Sequence, residues 1–184
     1  MLAYVFWHWR SAAIGREAYE QAIADFHRAL RLDPPDGFLE SVSLRSGELP
    51  FEAAAIAESA YEDWYVVRDW AALGRPNEAA VRGSRGEPHA RVAAMSGAGR
   101  GGVYARLRAT AALSETRRAA WLSKPSGLGY ERYRASLCGS APRAQIWQRQ
   151  LVLAPAPEFC VLSATATELP PGAASTGDRL SIVD

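Results

Sequence analysis

Residues 3–9 read AYVFWHW, a run of aromatic and branched side chains without a polar face. That content predicts an extended strand. Strand alternation puts Tyr4, Phe6 and His8 on one side and Val5, Trp7 and Trp9 on the other. Both sides are apolar, so the strand needs a covering layer on each face. A second segment, YEDWYVVR at Tyr61–Arg68, has the same character but carries two acids. Its alternation groups Asp63 with Tyr61, Tyr65 and Val67, and Glu62 with Trp64, Val66 and Arg68. A carboxylate among aromatics is expensive to bury without a partner.

Between these segments, Tyr19, Ile23, Phe26 and Leu30 recur at helical steps, which predicts a helix over Arg16–Leu32 with one buried stripe. Asp33-Pro34-Pro35-Asp36-Gly37 stops it, and Phe38–Arg45 reads as a second strand. Ser46–Ser59 reads as a loop with one helical turn at Glu52–Glu58. After the Tyr61–Arg68 strand come two helical pieces, Asp69–Val81 and Glu87–Ser96. A turn at Gly97–Gly102 and a fourth strand at Val103–Ala109 follow. The order strand, helix, strand, strand, helix, strand is the ferredoxin-like one, an antiparallel sheet with helices on one face. Residues 1–110 form this first unit.

The order then begins again. Arg117–Ser123 reads as a strand, Gly129–Leu137 as a helix, and Ala144–Leu153 and Glu158–Thr165 as strands. Trp9 and Tyr19-Glu20 are echoed at a similar offset by Trp121 and Tyr130-Glu131. Residues 111–167 are therefore read as a second, incomplete unit. Residues 168–184, with Pro170-Pro171-Gly172 and a Ser/Thr/Gly stretch, are read as a mobile tail. The fold class expected is α+β, two related units packed sheet to sheet.

Lysine and arginine number 21 against 20 acids, a net charge of +1. That balance speaks against a nucleic-acid partner and against a polybasic membrane anchor. No apolar run reaches the ~20 residues of a membrane-spanning helix. Cys138 and Cys160 have no metal-site spacing and read as two thiols. A cytoplasmic protein is expected, as a homo-oligomer with a possible small-molecule ligand.

On this element order, residues 1–166 resemble the dimeric α+β barrel superfamily, in which two ferredoxin-like units pack sheet against sheet. The resemblance implies a ligand site between sheet and helices. It also implies company with small monooxygenases, chlorite-dismutase-like haem proteins and muconolactone-isomerase-like enzymes. No haem-ligand motif can be matched here, and the cofactor is left unassigned.

Polar residues embedded in aromatic strands are the candidates for chemistry. His8 and Asp63 are the candidate proton-handling pair; the bland alternatives are a hydrogen-bonded core histidine and an ordinary surface acid. Asp63, if inward, is expected either to pair with an arginine such as Arg68 or Arg10 or to hold a raised pKa suited to proton transfer. Trp7, Trp9, Trp64, Arg68 and His89 are candidate ligand-binding residues. His89 follows Pro88 at a helix start, where a neutral imidazole is favoured. No metal is assigned. The function expected is a small-molecule-binding protein or cofactor-poor enzyme supporting proton transfer or cofactor-free oxidation. The alternatives are a non-catalytic assembly protein and a haem or flavin binder.

Overall fold

A computed structural model of the protein describes residues 1–46, 49, 60–110, 112–152, 156–170 and 173–182. Eight strands and four helices are present among them. The first half contains β1 (Leu2–Arg10), α1 (Arg16–Leu32), β2 (Phe38–Ser46), β3 (Ala60–Val67), α2 (Trp70–Ala80), α3 (Gly86–Met95) and β4 (Ser96–Arg108). The second contains β5 (Arg118–Leu122), α4 (Tyr130–Ser140), β6 (Gln145–Val152), β7 (Phe159–Ser163) and β8 (Ala173–Ser181). The helical turn expected at Glu52–Glu58 lies outside the described residues.

The strands close into one barrel in the order β1-β3-β2-β8-β5-β7-β6-β4, with every pairing antiparallel. Within the ring, β4-β1-β3-β2 is the ferredoxin-like order. The run β8-β5-β7-β6 repeats it, with β8 in the place of β4. Residues 173–181, expected as part of a tail, thus form the fourth strand of the second half. Their Ala/Ser/Thr/Gly composition has weak strand preference, and the strand is made by its neighbours β5 and β2. The β2–β8 seam is short, pairing only Leu44, Arg45 and Ser46 with Ser181, Leu180 and Arg179.

Alternation sorts every side chain of β1 and β3. Ala3, Val5, Trp7 and Trp9, with Trp64 and Val66, point into the barrel. There they meet Tyr104, Trp121, Trp147, Cys160 and Leu162 from the other strands. Trp7 packs edge-on against Trp121 at 5.4 Å between ring centroids, and Trp64 tilts against Trp147 at 5.5 Å. Large rings from both halves therefore fill the interior. The opposite faces of β1 and β3 lie under α1, α2 and α3: Tyr19 and Ile23 cover Tyr61, and Ala72 covers Leu2 and Val67. In the second half, α4 covers Ala120, Ile146, Phe159 and Val161 with Tyr133 and Leu137.

Strand β4 begins at Ser96, and the glycine-rich stretch expected as a turn is extended. The cause is on the neighbouring strand. Gly101 and Gly99 pair with Phe6 and His8 of β1, and the Phe6 and Tyr4 rings lie over the two glycines where a Cβ would sit. Bare glycine backbone accepts these rings, and the rings replace the contacts that glycine lacks.

Candidate functional site

Both acids of β3 are buried, on opposite faces of the strand. Glu62 lies inside the barrel and Asp63 lies under α1. The outer face around Asp63 walls a cavity of about 670 Å³, in the range of small-molecule sites. Tyr4, Phe6 and His8 of β1 with Asp63, Tyr65 and Val67 of β3 form its sheet wall. Phe26 and Leu30 of α1 and His89, Val92 and Ala93 of α3 form the helical wall, and Ser96–Gly99 form one edge.

Asp63 is only 5% exposed and His8 only 2%. Asp63 Oδ1 stands 3.2 Å from His8 Nε2 and 3.4 Å from His27 Nε2, ion-pair contacts that fall short of aligned hydrogen bonds. Oδ2 accepts a 2.7 Å hydrogen bond from the Tyr65 hydroxyl. Burial acts to push the Asp63 carboxyl up. The imidazoles of His8 and His27 outweigh it and hold the carboxyl well below its ordinary range. Burial and the adjacent Asp63 push the Tyr65 phenol well above its usual range, so Tyr65 stays a neutral donor.

Each imidazole is oriented through its other nitrogen. His8 Nδ1 lies 2.6 Å from the Tyr19 hydroxyl, and His27 Nδ1 lies 2.9 Å from Ser41 Oγ. Tyr19 also meets Ser96 Oγ at 2.8 Å, and Ser96 donates to the carbonyl of Val92 at 3.0 Å. That last bond satisfies a carbonyl of the final turn of α3. The rings of Phe6 and Tyr61 flank His8 in stacked contact at 5.4 and 5.6 Å.

The structure brings His8, Asp63 and His89 to one cavity and separates the other candidates from it. Trp7, Trp9 and Trp64 point into the barrel, because each neighbours His8 or Asp63 in sequence and strand neighbours face opposite ways. Arg68 is exposed at the strand end beside Asp36 and Asp69 and does not pair with Asp63. The partners of Asp63 are histidines instead. His89 stands edge-on to Phe26 at 5.4 Å on the helical wall.

Tyr19, His27, Tyr65 and Ser96 were not singled out as functional from the sequence. His27 follows Ile23 by four residues, so helical spacing already places it on the buried stripe of α1. Ser96 gives no local signal, since its place depends on α3 ending against α1.

Gly99→Ala is expected to drive the Phe6 ring off the strand and into the cavity, because the added methyl would overlap Phe6 Cζ and lie 2.7 Å from Cε2. The stability cost should stay within about 1–3 kcal/mol, as for other overpacked sites. The loss of cavity space should appear as weaker ligand binding. Thermal denaturation and a binding titration on the same variant check both parts.

Among the described residues, no group of three or more His, Cys, Asp or Glu side chains can hold a metal ion. A haem would need an axial ligand with a free nitrogen and cations for its propionates. His8 turns one ring nitrogen to the Tyr19 hydroxyl and the other to the Asp63 carboxylate, and the described lining contains no Arg or Lys. The lining offers His89 as a further imidazole, and among the described residues it holds no cation to meet a haem propionate or a flavin phosphate. No described helix is long and apolar enough to cross a membrane.

No protein family and no curated relative matches the chain. Solved structures do. A proposed monooxygenase from Lactobacillus acidophilus superposes with a TM-score of 0.57 at 11% identity, covering 98% of this chain and 94% of its own. An anthrone oxidase-like protein gives 0.52 at 9% identity, covering 89% of this chain and 73% of its own. A proposed chlorite dismutase gives 0.51 at 11% identity, covering 98% of this chain and 95% of its own. Such identities bear on architecture alone, and the architecture shared with these proteins is the ferredoxin-like α+β barrel.

Proposed function

We propose that the cavity under α1 and α3 binds a flat, mostly apolar small molecule, and that Asp63 and His8 handle a proton there without a cofactor. The observation that carries this reading is a buried Asp63 between two imidazoles on the wall of an aromatic cavity of about 670 Å³. Perturbed carboxyls in clefts concentrate at functional sites. His8 and Asp63 supply the acid–base chemistry, and Tyr4, Phe6, Phe26 and Tyr65 supply flat surface. The likeness to an anthrone oxidase-like protein and a proposed monooxygenase supports the choice of a polycyclic aromatic probe.

Equilibrium dialysis against anthrone tests the reading. One molecule is expected to bind per chain. Ala93 lines the cavity and is solvent-exposed, so Ala93→Trp plugs the cavity from its rim and should reduce binding at least tenfold while leaving the melting temperature in place. Absence of binding, or binding indifferent to Ala93→Trp, overturns it.

A further inference from the structure

The two halves of the barrel supply an internal comparison for the site. Trp7, Gly15, Tyr19 and Ile23 recur at the same spacing as Trp121, Gly129, Tyr133 and Leu137. The structure gives them matching places. Trp7 and Trp121 meet inside the barrel, and Gly15 and Gly129 cap the starts of α1 and α4. Tyr19 and Tyr133 are buried, and each donates its backbone N–H to the carbonyl of its own glycine. On this register His8 corresponds to Leu122, and His27 to Ala141, which caps the end of α4. Asp63 stands opposite Phe6 on β1, and its counterpart Val161 stands opposite Ala120 on β5. All three polar groups of the first half are thus apolar in the second, where Leu122 and Val161 pack with Tyr133 and Leu137. The same sheet-and-helix layer forms there without a polar set, so the architecture does not require one.

Asp63 is also short of hydrogen bonds. A carboxylate offers about four acceptor sites when ionised. Among the described residues, Tyr65 alone makes an aligned hydrogen bond to it, at Oδ2. Oδ1 has none, and neither has Nε2 of His8 or of His27, which face it. A buried polar group in that condition is costly unless a further partner completes it. Asp63 lies on the cavity wall, where a ligand can be that partner. Beside it the cavity floor is flat: the Tyr4 ring lies within 18° of parallel to Phe6 and within 23° of Tyr65.

We propose that the ligand is a flat aromatic alcohol that lies on the Tyr4 and Phe6 rings and donates its hydroxyl to Asp63, and that the second half is a filled copy without a site. This assignment rests on the cavity reading above and names its ligand class and its polar contact. His8 and His27 hold Asp63 between them, and His27 acts on the ligand only through Asp63, as a positioning residue.

The probes are 2-naphthol and 2-methoxynaphthalene, which share a ring system and an oxygen, but only the first can donate. The wild-type protein is expected to bind the naphthol at least tenfold more tightly than the ether. The triple variant His8→Leu, His27→Leu, Asp63→Val gives the first half the apolar chemistry of the second. It removes the whole set at once and strands no buried charge, so its melting temperature should match or exceed that of wild type. It should hold the ether within threefold of wild type and favour the naphthol less than twofold. The single variant His27→Gln, which keeps an N–H donor near the position of Nε2, should retain the naphthol preference that His27→Leu weakens. A triple variant that melts well below wild type, loses the ether or keeps the naphthol preference overturns the assignment, and equal loss in His27→Gln and His27→Leu removes His27 from it. Equal binding of the two probes by wild type overturns it as well and leaves the cavity reading standing. Failure of wild type to bind either probe overturns both together.

Discussion

Asp63→Asn is expected to cost about 3–5 kcal/mol of folding stability, because it leaves the imidazoles of His8 and His27 buried without their counter-charge. For a chain of this length that corresponds to a fall in melting temperature of roughly 10 °C. Thermal and urea denaturation at neutral pH measure it. The pH dependence gives an independent check. The carboxyl is held below its ordinary value of 3.8, so its contribution is fully present above that pH. It is lost as the pH falls through the depressed folded value. The difference between wild type and Asp63→Asn should therefore shrink on strong acidification. A difference that stays constant from neutral pH down to about pH 2 would show that the Asp63 charge is not its source.

The second large effect belongs to the other acid of β3. Glu62 and Arg179 form an ion pair inside the barrel with both side chains at 0% exposure, 3.4 Å apart. Ser46 and the Trp64 indole donate to the same carboxylate at 2.9 and 3.1 Å. Arg179 also donates to Thr116 at 3.0 Å and lies over the Trp64 ring at 5.6 Å. These contacts bind β8 to β3 from within, across the short β2–β8 seam. Arg179→Met strands a buried anion and is expected to cost about 3–5 kcal/mol. Adding Glu62→Gln to it removes the stranded charge and should recover a large part of that loss. A double-mutant cycle in urea measures the coupling. Simple additivity of the two substitutions would mean that the pair contributes nothing beyond its separate side chains. Burial, with Glu62 nearby, pushes the Cys160 thiol well above its usual range, so the neighbouring sulfur stays neutral and does not compete for Arg179.

Periodicity made β1, α1, β2 and β3 legible, since each buries a regular stripe against a neighbour. It also sorted His8 from Trp7 and Asp63 from Glu62. It did not say which stripe faces the barrel and which faces the helices, and both stripes of β1 are apolar. Trp7, Trp9 and Trp64 were accordingly grouped with a cavity that they face away from. The start of β4 and the whole of β8 were hidden for a different reason. Gly97–Gly102 and residues 173–181 have turn-like or neutral composition, and they become strands only through the rings of Tyr4 and Phe6 and through pairing with β5. Nonlocal partners of that kind leave no trace in the segment itself. The site shows the same division. His8 and Asp63 stand out as polar residues within aromatic strands. His27 and Ser96 look ordinary until α1 and α3 are laid over the sheet.

The ring-filled interior has a consequence for how the chain acquires its shape. Trp7, Trp9 and Trp64 from the first half and Trp121, Trp147 and Cys160 from the second are packed into one shared mass. A fragment ending near residue 110 would hold its complement of helices and still present a bare wall of indoles to water. The halves recur in pattern, and each buries its inward face against the other. During synthesis the earlier sheet must wait, shielded or sticky, until its counterpart has emerged.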